Sequence, residues 1–450
     1  MHGDFNTGAY ASWGPTVADR VPIHASGPYY IPAIEASSRA VLTNEPPAGA
    51  FRGFGVPQCA IAHESLMDML AEKAGIDPLE FRLINAIRAG QETATGQVLE
   101  ASVGLDLCLE ALKPHWDKAR AQAEMFNERS RHRRLGVGIG CMWYGCGNTS
   151  LSNPSTIQVG IGTSGALTMY SGAVDIGQGS NTILIQICAD ALGVPVDALG
   201  LVTGDTDLTP DAGKTSASRQ TFVSGSAALL AGEDLRAKIL RLANVGPDAI
   251  LEFRPGLILA RDAHTQQEVH LSALSPDKRG DVVVGEGTFD PPTTPLDENG
   301  QGIPYATYGF GAQMAEVETD MDLGTVKVRR IVAAHDVGKA INPIQVEGQI
   351  HGGIAQGLGM ALMEEYVPGS SENLHDYLIP TFGDMPEVET IIIEATEPLG
   401  PYGAKGIGEQ ALIPTAPAIL GAIHHATGAR ITHVPATPSR VRAAILAARK

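Results

Sequence analysis

The spacing of apolar and polar positions changes several times along the chain, and those changes divide it. Residues 1–50 read as strands and turns, punctuated by Gly14-Pro15, Gly27-Pro28 and Pro46-Pro47. From Gln58 to about Gly75 apolar residues recur at helical spacing. Asp77 followed by Pro78 is a cap with proline at the first helical position, which predicts a second helix there. A third is predicted over 101–126, and the basic run Arg129–Arg134 reads as an exposed link between two lobes.

Beyond Leu135 the pattern becomes mixed. Residues 155–174 alternate as a hairpin about Thr163-Ser164-Gly165, and a helix is predicted after Gly177-Gln178-Gly179. A strand near 197–203 leads through a loop rich in Asp and Thr to a long helix from about Ser216. Residues 244–290 are irregular and β-prone. A strand pair at 311–334 precedes a glycine-rich helix near 345–365, and the tail offers a strand at 389–395 with helices near 409–427 and 437–449. The expectation is an α+β protein of two lobes, divided into 1–126 and 127–450.

Composition narrows the function classes. At 450 residues and 44% hydrophobic, the chain can bury two or three cores. A net charge of −18 argues against nucleic acid or an anionic membrane surface as partner. The start, MHGDFNTGAYAS, has neither the basic region nor the apolar core of a secretion signal. The five cysteines form no C-x-x-C pair, so an iron–sulfur cluster or zinc ribbon inside the chain is not expected, and a reducing compartment is. The reading is of a cytoplasmic enzyme.

Four segments concentrate glycine with small polar residues: 50–55 (AFRGFG), 177–180 (GQGS), 215–221 (TSASRQT) and 403–409 (GAKGIGE). Glycine lets backbone approach a ligand and present N–H groups to anionic oxygens, and two clusters precede predicted helices, whose amino termini favour phosphate. Taken singly, each is better explained as an ordinary turn or cap; four together favour a large phosphorylated cofactor. Gly406-Ile407-Gly408-Glu409-Gln410-Ala411 matches the dinucleotide fingerprint only formally, because no buried strand precedes it. Reading the residues alone therefore ends at a large phosphorylated ligand with a glutamate for acid–base chemistry.

Longer strings carry a resemblance. AFRGFGVPQ (50–58), DIGQGS (175–180), GDTDLTPDAGKTSASRQT (204–221), VAAHDVGKAINP (332–343), EGQIHGGIAQGLGMAL (347–362) and GPYGAKGIGEQALIPTAPAI (400–419) resemble blocks of the xanthine oxidase and aldehyde oxidoreductase family, in that family's order. The similarity is to the carboxy-terminal part of the molybdopterin-binding subunit; the hammerhead domain and first cofactor loop of the family have no counterpart here. The resemblance implies the two-lobed α+β molybdopterin-binding fold, a molybdenum-pterin in its cytosine dinucleotide form, and metal held by the pterin dithiolene rather than by protein side chains. It also implies either a partner chain carrying the amino-terminal half or a fragment of a longer subunit, together with a subunit with two [2Fe-2S] clusters and often an FAD subunit.

The same resemblance assigns residues. Glu409 matches the base of a hydroxylation that takes its oxygen from water, and Arg52 the residue beside the metal. Phe51, Gly53, Gly177, Gln178, Gly179, Ser216, Ser218, Arg219, Gln220, Thr221, Lys405, Gly406 and Gly408 fall in cofactor-holding segments. Phe54, Arg20 and Tyr144 match substrate contacts. The implied substrate is an aldehyde or an N-heteroaromatic ring of xanthine or nicotinate type; the carbon monoxide branch is disfavoured, having a cysteine where this chain has Gly53-Phe54. His335-Asp336 and His424-His425 read as structural rather than metal-binding. The rival reading is a non-catalytic cofactor-binding or assembly component, or an inactive fragment of such a subunit.

Overall fold

Cap and turn chemistry sets many of the boundaries. The computed structural model describes residues 1–449. In chain order it forms β1 (His2–Gly8), α1 (Gly14–His24), β2 (Ser37–Leu42), α2 (Val56–Ala74), α3 (Pro78–Asn85), α4 (Leu105–Arg129) and β3 (Arg133–Gly145). Then follow β4 (Ser155–Gly162), β5 (Leu167–Ser171), α5 (Ser180–Leu192), β6 (Leu199–Thr203), α6 (Gly225–Ala243), β7 (Ile250–Arg254), β8 (Leu257–Arg261), β9 (Gln266–His270) and β10 (Asp281–Phe289). The rest comprises β11 (Tyr308–Asp320), β12 (Val326–Asp336), α7 (Pro343–Leu362), β13 (Glu387–Ile393), α8 (Thr415–Thr427) and α9 (Pro438–Ala448).

The mixed α+β composition and the presence of two compact units agree with the sequence reading. The units are discontinuous: unit 1 takes 1–145, 294–396 and 407–450, and unit 2 takes 146–293 and 397–406. The chain thus passes between units at 145/146, whereas 126/127 lies inside α4. The basic run Arg129–Arg134 joins α4 to β3 within unit 1 instead of linking lobes.

In unit 1 the described strands form a sheet of order β13-β12-β11-β3, with β12 and β13 parallel and the other pairs antiparallel. Alternation along the strands gives each face its own core. Trp143, Tyr308, Phe310, Met314 and Val332 pack with Leu105, Leu109 and Leu112 of α4, while Val317, Ile331 and Ala333 pack with Ile350 and Ile354 of α7 and Ile419 and Ile423 of α8. Each fully buried Leu or Ile contributes roughly 2 kcal/mol. On β3 the residues facing α8 are Gly136, Gly138 and Gly140, where a Cβ would come within 1.9, 2.1 and 2.5 Å of α8 or the segment before it.

Unit 2 carries a second sheet, β10-β4-β5-β6, and the meander β7-β8-β9. Gly285 and Gly287 of β10 admit α6 in the same way, with Cβ positions 2.4 and 2.2 Å from carbonyls of Ala231 and Ala227.

Three local expectations need correction. Gly14-Pro15 opens α1 instead of marking a turn, because proline suits the first helical turn, where its missing N–H costs nothing. The helix expected from Ser216 begins later, as a π-turn at Gln220–Ser224 running into α6, since Ala217 and Ser218 have φ of +57° and +52°. Residues 244–290 contain four regular strands among the described residues, β7 to β10.

Candidate active site

The loop entering α2 has an unusual backbone. Gly53, Phe54 and Gly55 have φ of +96°, +48° and +83°. At Gly55 a Cβ would sit 2.9 Å from Val17 of α1, so the close approach of the two helices requires glycine. Phe54 adopts the left-handed region despite its Cβ, at about 1–2 kcal/mol, the kind of strain that collects at functional sites.

Arg52 leaves this loop towards α7 and the segment before α8. Its Nε donates to the carbonyl of Gly408, its Nη1 to Gln356 Oε1 at 3.0 Å and its Nη2 to Gln349 Oε1 at 3.1 Å. Burial pushes the guanidinium pKa down, and the nearby Glu409 carboxylate draws it back up. Glu409 is 9% exposed, and its own N–H donates to Gln410 Oε1 at 3.1 Å. Arg52, Gly408 and Glu409, separated by more than 350 positions, are therefore brought together within unit 1. Gln349 and Gln356 were not singled out from the sequence, although their seven-residue spacing puts them on one helical face.

The three residues read as substrate contacts also meet in unit 1. The Arg20 guanidinium lies 5.2 Å from the ring centroid of Phe54, 4.9 Å from Tyr144 and 5.3 Å from Tyr305. Arg20 is buried, 1% exposed, with these rings packed about its guanidinium. The Tyr144 hydroxyl is buried without a hydrogen-bond partner among the described residues. His24, one turn beyond Arg20, anchors the cluster: its Nδ1 bonds the Arg20 carbonyl at 2.8 Å and its Nε2 accepts the N–H of Gly145 at 3.3 Å. Burial pushes this imidazole down to about 3 and keeps it neutral. Tyr308 stacks on Trp143 at 4.6 Å and donates to Gln97, which in turn donates to the Tyr305 carbonyl at 2.8 Å. His24, Gln97 and Tyr305 were missed, the last two because their partners lie some 200 positions away.

Unit 2 holds most of the residues assigned to cofactor binding. Gly177 and Gly179 have φ of +104° and +87°. The α5 end beside them is closed from within: the Asp175 carboxylate accepts from the N–H groups of Gly177 (2.7 Å), Gly179 (3.3 Å) and Asn181 (3.2 Å). Although its burial works the other way, these donors hold the Asp175 pKa down. Of the first-turn N–H groups of α5, that of Asn181 is taken by Asp175; the other two donors lie in the loop before the helix. Gln178 likewise bonds within the loop, accepting from Ile176 N–H and donating to Ser180. Asn181 Oδ1 is buried with no partner among the described residues.

In the second loop of unit 2, Arg219 turns inward. Its Nη1 and Nη2 donate to the carbonyls of Ala212, Lys214, Asn153 and Pro154, and burial pushes its pKa down to about 10. Gln220 donates to the Lys214 carbonyl and the Thr215 hydroxyl. The partly buried Ser216, Ser218 and Thr221 lie where this loop enters the helical run from Gln220. Gly406 approaches so closely that a Cβ would be 1.9 Å from the Ser218 carbonyl oxygen, and Lys405 beside it is 2% exposed. Phe51 is partly exposed in unit 1.

These residues fit a large pterin. Backbone-shaped loops with hydroxyl and amide groups, and a buried acceptor at Asn181 Oδ1, suit a ring system rich in N–H donors. Among the described residues no group of three or more His, Cys, Asp or Glu is placed to hold a metal ion, and no helix is long and apolar enough to cross a membrane. Asp336 accepts from the N–H groups of Gly338 and Ala395, His424 faces Glu72 at 3.5 Å, and His425 accepts the N–H of Val137.

Comparison with known proteins gives one consistent result. Models of the molybdopterin cofactor-binding domain match residues 1–86 and 110–386. The chain is 34% identical to a xanthine dehydrogenase molybdenum-binding subunit of Escherichia coli O157:H7, over 97% of this chain and 58% of that protein. It is 32% identical to an aldehyde oxidoreductase of Megalodesulfovibrio gigas, over 98% and 46% respectively. The crystal structure of aldehyde oxidoreductase from Desulfovibrio gigas superposes with a TM-score of 0.87 at 30% identity, covering 99% of this chain and 47% of that one. The chain spans about half the length of these relatives.

Proposed function

The chain belongs to the molybdenum hydroxylase family of xanthine dehydrogenases and aldehyde oxidoreductases, and from that premise we propose that it is the part of a molybdopterin-binding subunit that holds the catalytic base. The reaction is oxidation of an aldehyde or N-heteroaromatic substrate, with water as the source of oxygen. The observation that carries this reading is Arg52 bonded to the Gly408 carbonyl with Glu409 beside it.

When bound, the molybdenum-pterin supplies oxygen transfer and accepts two electrons, its metal held by the pterin's own sulfurs. Glu409 takes the proton released as the new C–O bond forms. Arg52 fixes the turn carrying Glu409 and faces the carboxylate with its positive charge. Phe54 presents its ring to a planar substrate, and Arg20 ties that ring to the fully buried Tyr144. Phe51, Gly53 and Gly408 in unit 1, and the loops at 177–179, 216–221 and 405–406 in unit 2, are assigned to holding the cofactor, in its cytosine dinucleotide form. The assembled enzyme is cytoplasmic. It includes a subunit with two [2Fe-2S] clusters and often an FAD subunit that passes the electrons on.

Glu409→Gln tests the assignment in the assembled enzyme. Molybdenum content stays at the wild-type level while turnover drops by about 10²–10⁴-fold, the usual worth of a general base. Near-normal turnover would remove Glu409 as the base. Wild-type enzyme that purifies without molybdenum would favour the cofactor-binding or assembly role instead.

A further inference from the structure

The face of β11 beneath the Glu409 turn is nearly emptied of side chains. Tyr308, Phe310, Ala312 and Met314 point into the core on the α4 side, so Gly309, Gly311 and Gln313 share the opposite face. At Gly309 a Cβ would sit 2.9 Å from the Gln410 side chain, and at Gly311 2.3 Å from the ring of His335, its partner across the ladder. Gly140 of β3, level with Gln313, gives way to the Pro414 carbonyl. From the other side α7 closes in through Gly353 and Gly357, where a Cβ would meet Ala411 at 2.6 Å and Thr415 at 2.4 Å.

From β11 itself the Gln313 amide projects into this glycine-lined floor, fully buried together with His335 and Thr415. Gln313 Nε2 donates to the carbonyl of Ala411 at 2.7 Å and meets His335 Nε2 at 3.1 Å, while Thr415 donates its hydroxyl to Gln313 Oε1 at 2.7 Å. The amide has a single workable orientation. Reversed, its oxygen would face the Ala411 carbonyl oxygen. Burial pushes the His335 pKa down to about 3, so the ring is neutral and its Nε2 accepts from the amide. That tautomer leaves Nδ1–H buried and without a partner among the described residues, a cost that stability alone does not explain.

We propose that Gln313 is a positioning residue for the catalytic base, fixing Glu409 through the backbone of the turn that follows it, with His335 and Thr415 setting the direction of its amide. The turn is then gripped on both sides of Glu409, by Arg52 at the Gly408 carbonyl and by Gln313 at the Ala411 carbonyl. This rests on the reading of Glu409 as the base. Its consequence is kinetic: a small shift of a base lowers turnover without weakening substrate binding.

The test compares Thr415→Val, which removes the hydroxyl at nearly constant shape, with Thr415→Ser, which keeps it, in the assembled enzyme with its cofactor. Thr415→Val lowers kcat about tenfold with KM and molybdenum content unchanged. Hydrogen exchange followed by mass spectrometry quickens in peptides covering 407–415 but not in β11, and Thr415→Ser restores both readouts. Gln313→Met, which keeps the approximate volume and has no donor, gives the same split between kcat and KM. Wild-type kcat in Thr415→Val, equal losses in the Val and Ser variants, or faster exchange throughout β11 and β12 would overturn the proposal. If Glu409→Gln is inactive while Thr415→Val is normal, the positioning role alone falls; if Glu409→Gln is active, the base assignment falls and takes it along.

Discussion

The two units solve one packing problem alike and one polar problem differently. Each brings a helix closer to a sheet than side chains allow, by placing glycines on the facing strand: Gly136, Gly138 and Gly140 under α8 in unit 1, Gly285 and Gly287 under α6 in unit 2. Two of their charged networks, around Glu64 in unit 1 and in the Asp175 and Arg219 loops of unit 2, diverge. In unit 1, Glu64 takes hydrogen bonds from the side chains of Tyr29 and Arg82 and contacts His63, with one backbone donor, the Cys141 N–H, so charge meets charge and most partners are side chains. In unit 2, Arg219 meets backbone carbonyls and Asp175 meets backbone N–H groups. Side-chain networks fix other side chains, which suits the proton chemistry and ring stacking assigned to unit 1. Charges spent on backbone fix the course of a loop, which suits the cofactor cradle assigned to unit 2.

Breaking the unit 2 pattern should produce the largest effect. Arg219→Met strips charge-assisted donors from four carbonyls, two of them in the chain leading to β4. Each such bond is worth about 1.5–3 kcal/mol, and because they share one guanidinium a joint loss of about 5 kcal/mol is expected. Hydrogen exchange by mass spectrometry checks it: residues 146–221 exchange faster, molybdenum content falls, and β11 keeps its protection. Unchanged exchange around 211–221 would show that the loop holds its course without the arginine.

The corresponding change in unit 1 is smaller and depends on pH. Burial works to raise the Glu64 pKa, but Arg82, His63 and Tyr29 outweigh it and hold the carboxyl down at about 2. A folded-state value below the unfolded one contributes stability that is fully present above about pH 4.5 and is lost as pH falls toward 2, on the order of 3 kcal/mol. Glu64→Gln should lower the melting temperature at neutral pH and flatten the decline between pH 4.5 and 2. Arg219 remains charged throughout that window, so its variant keeps the wild-type slope. An equally steep acid limb in Glu64→Gln would place the pH dependence elsewhere.

How much of this was legible in sequence follows the same division. Asp77 as the cap of α3 was readable because its partners, the N–H groups of Leu79 and Glu80, are local. Arg52 and Glu409 were readable as members of family strings, though their meeting was not. The Gly-Phe-Gly-Ala-Gln run of β11 showed a strand, but the reason for its glycines lies in Gln410 and His335, which only the fold brings there. The late start of α6 was hidden because serine and alanine give no sign of a left-handed backbone. Arg219 was placed in a cofactor-holding segment by the resemblance; sequence cannot show that its guanidinium faces carbonyls.

The smallest expected effect sharpens the comparison most, because it separates stability from recognition at one atom. Tyr144 is fully buried in unit 1, yet its hydroxyl has no hydrogen-bond partner among the described residues. Its ring is held by Arg20 at 4.9 Å and by His24 at 5.9 Å, contacts that phenylalanine would keep. Tyr144→Phe therefore removes a buried polar group that nothing in the folded chain satisfies, and stability should change by less than about 0.5 kcal/mol or rise slightly. If the hydroxyl is instead the group that a substrate's carbonyl or ring nitrogen meets, the loss appears in kinetics: KM rises by about tenfold, the worth of one neutral hydrogen bond, with kcat nearly unchanged. An unchanged melting temperature with a raised KM would mark Tyr144 as a recognition residue. An unchanged KM would confine it to packing around Arg20, and the specificity of the site would then rest on Phe54 and the strained loop that carries it.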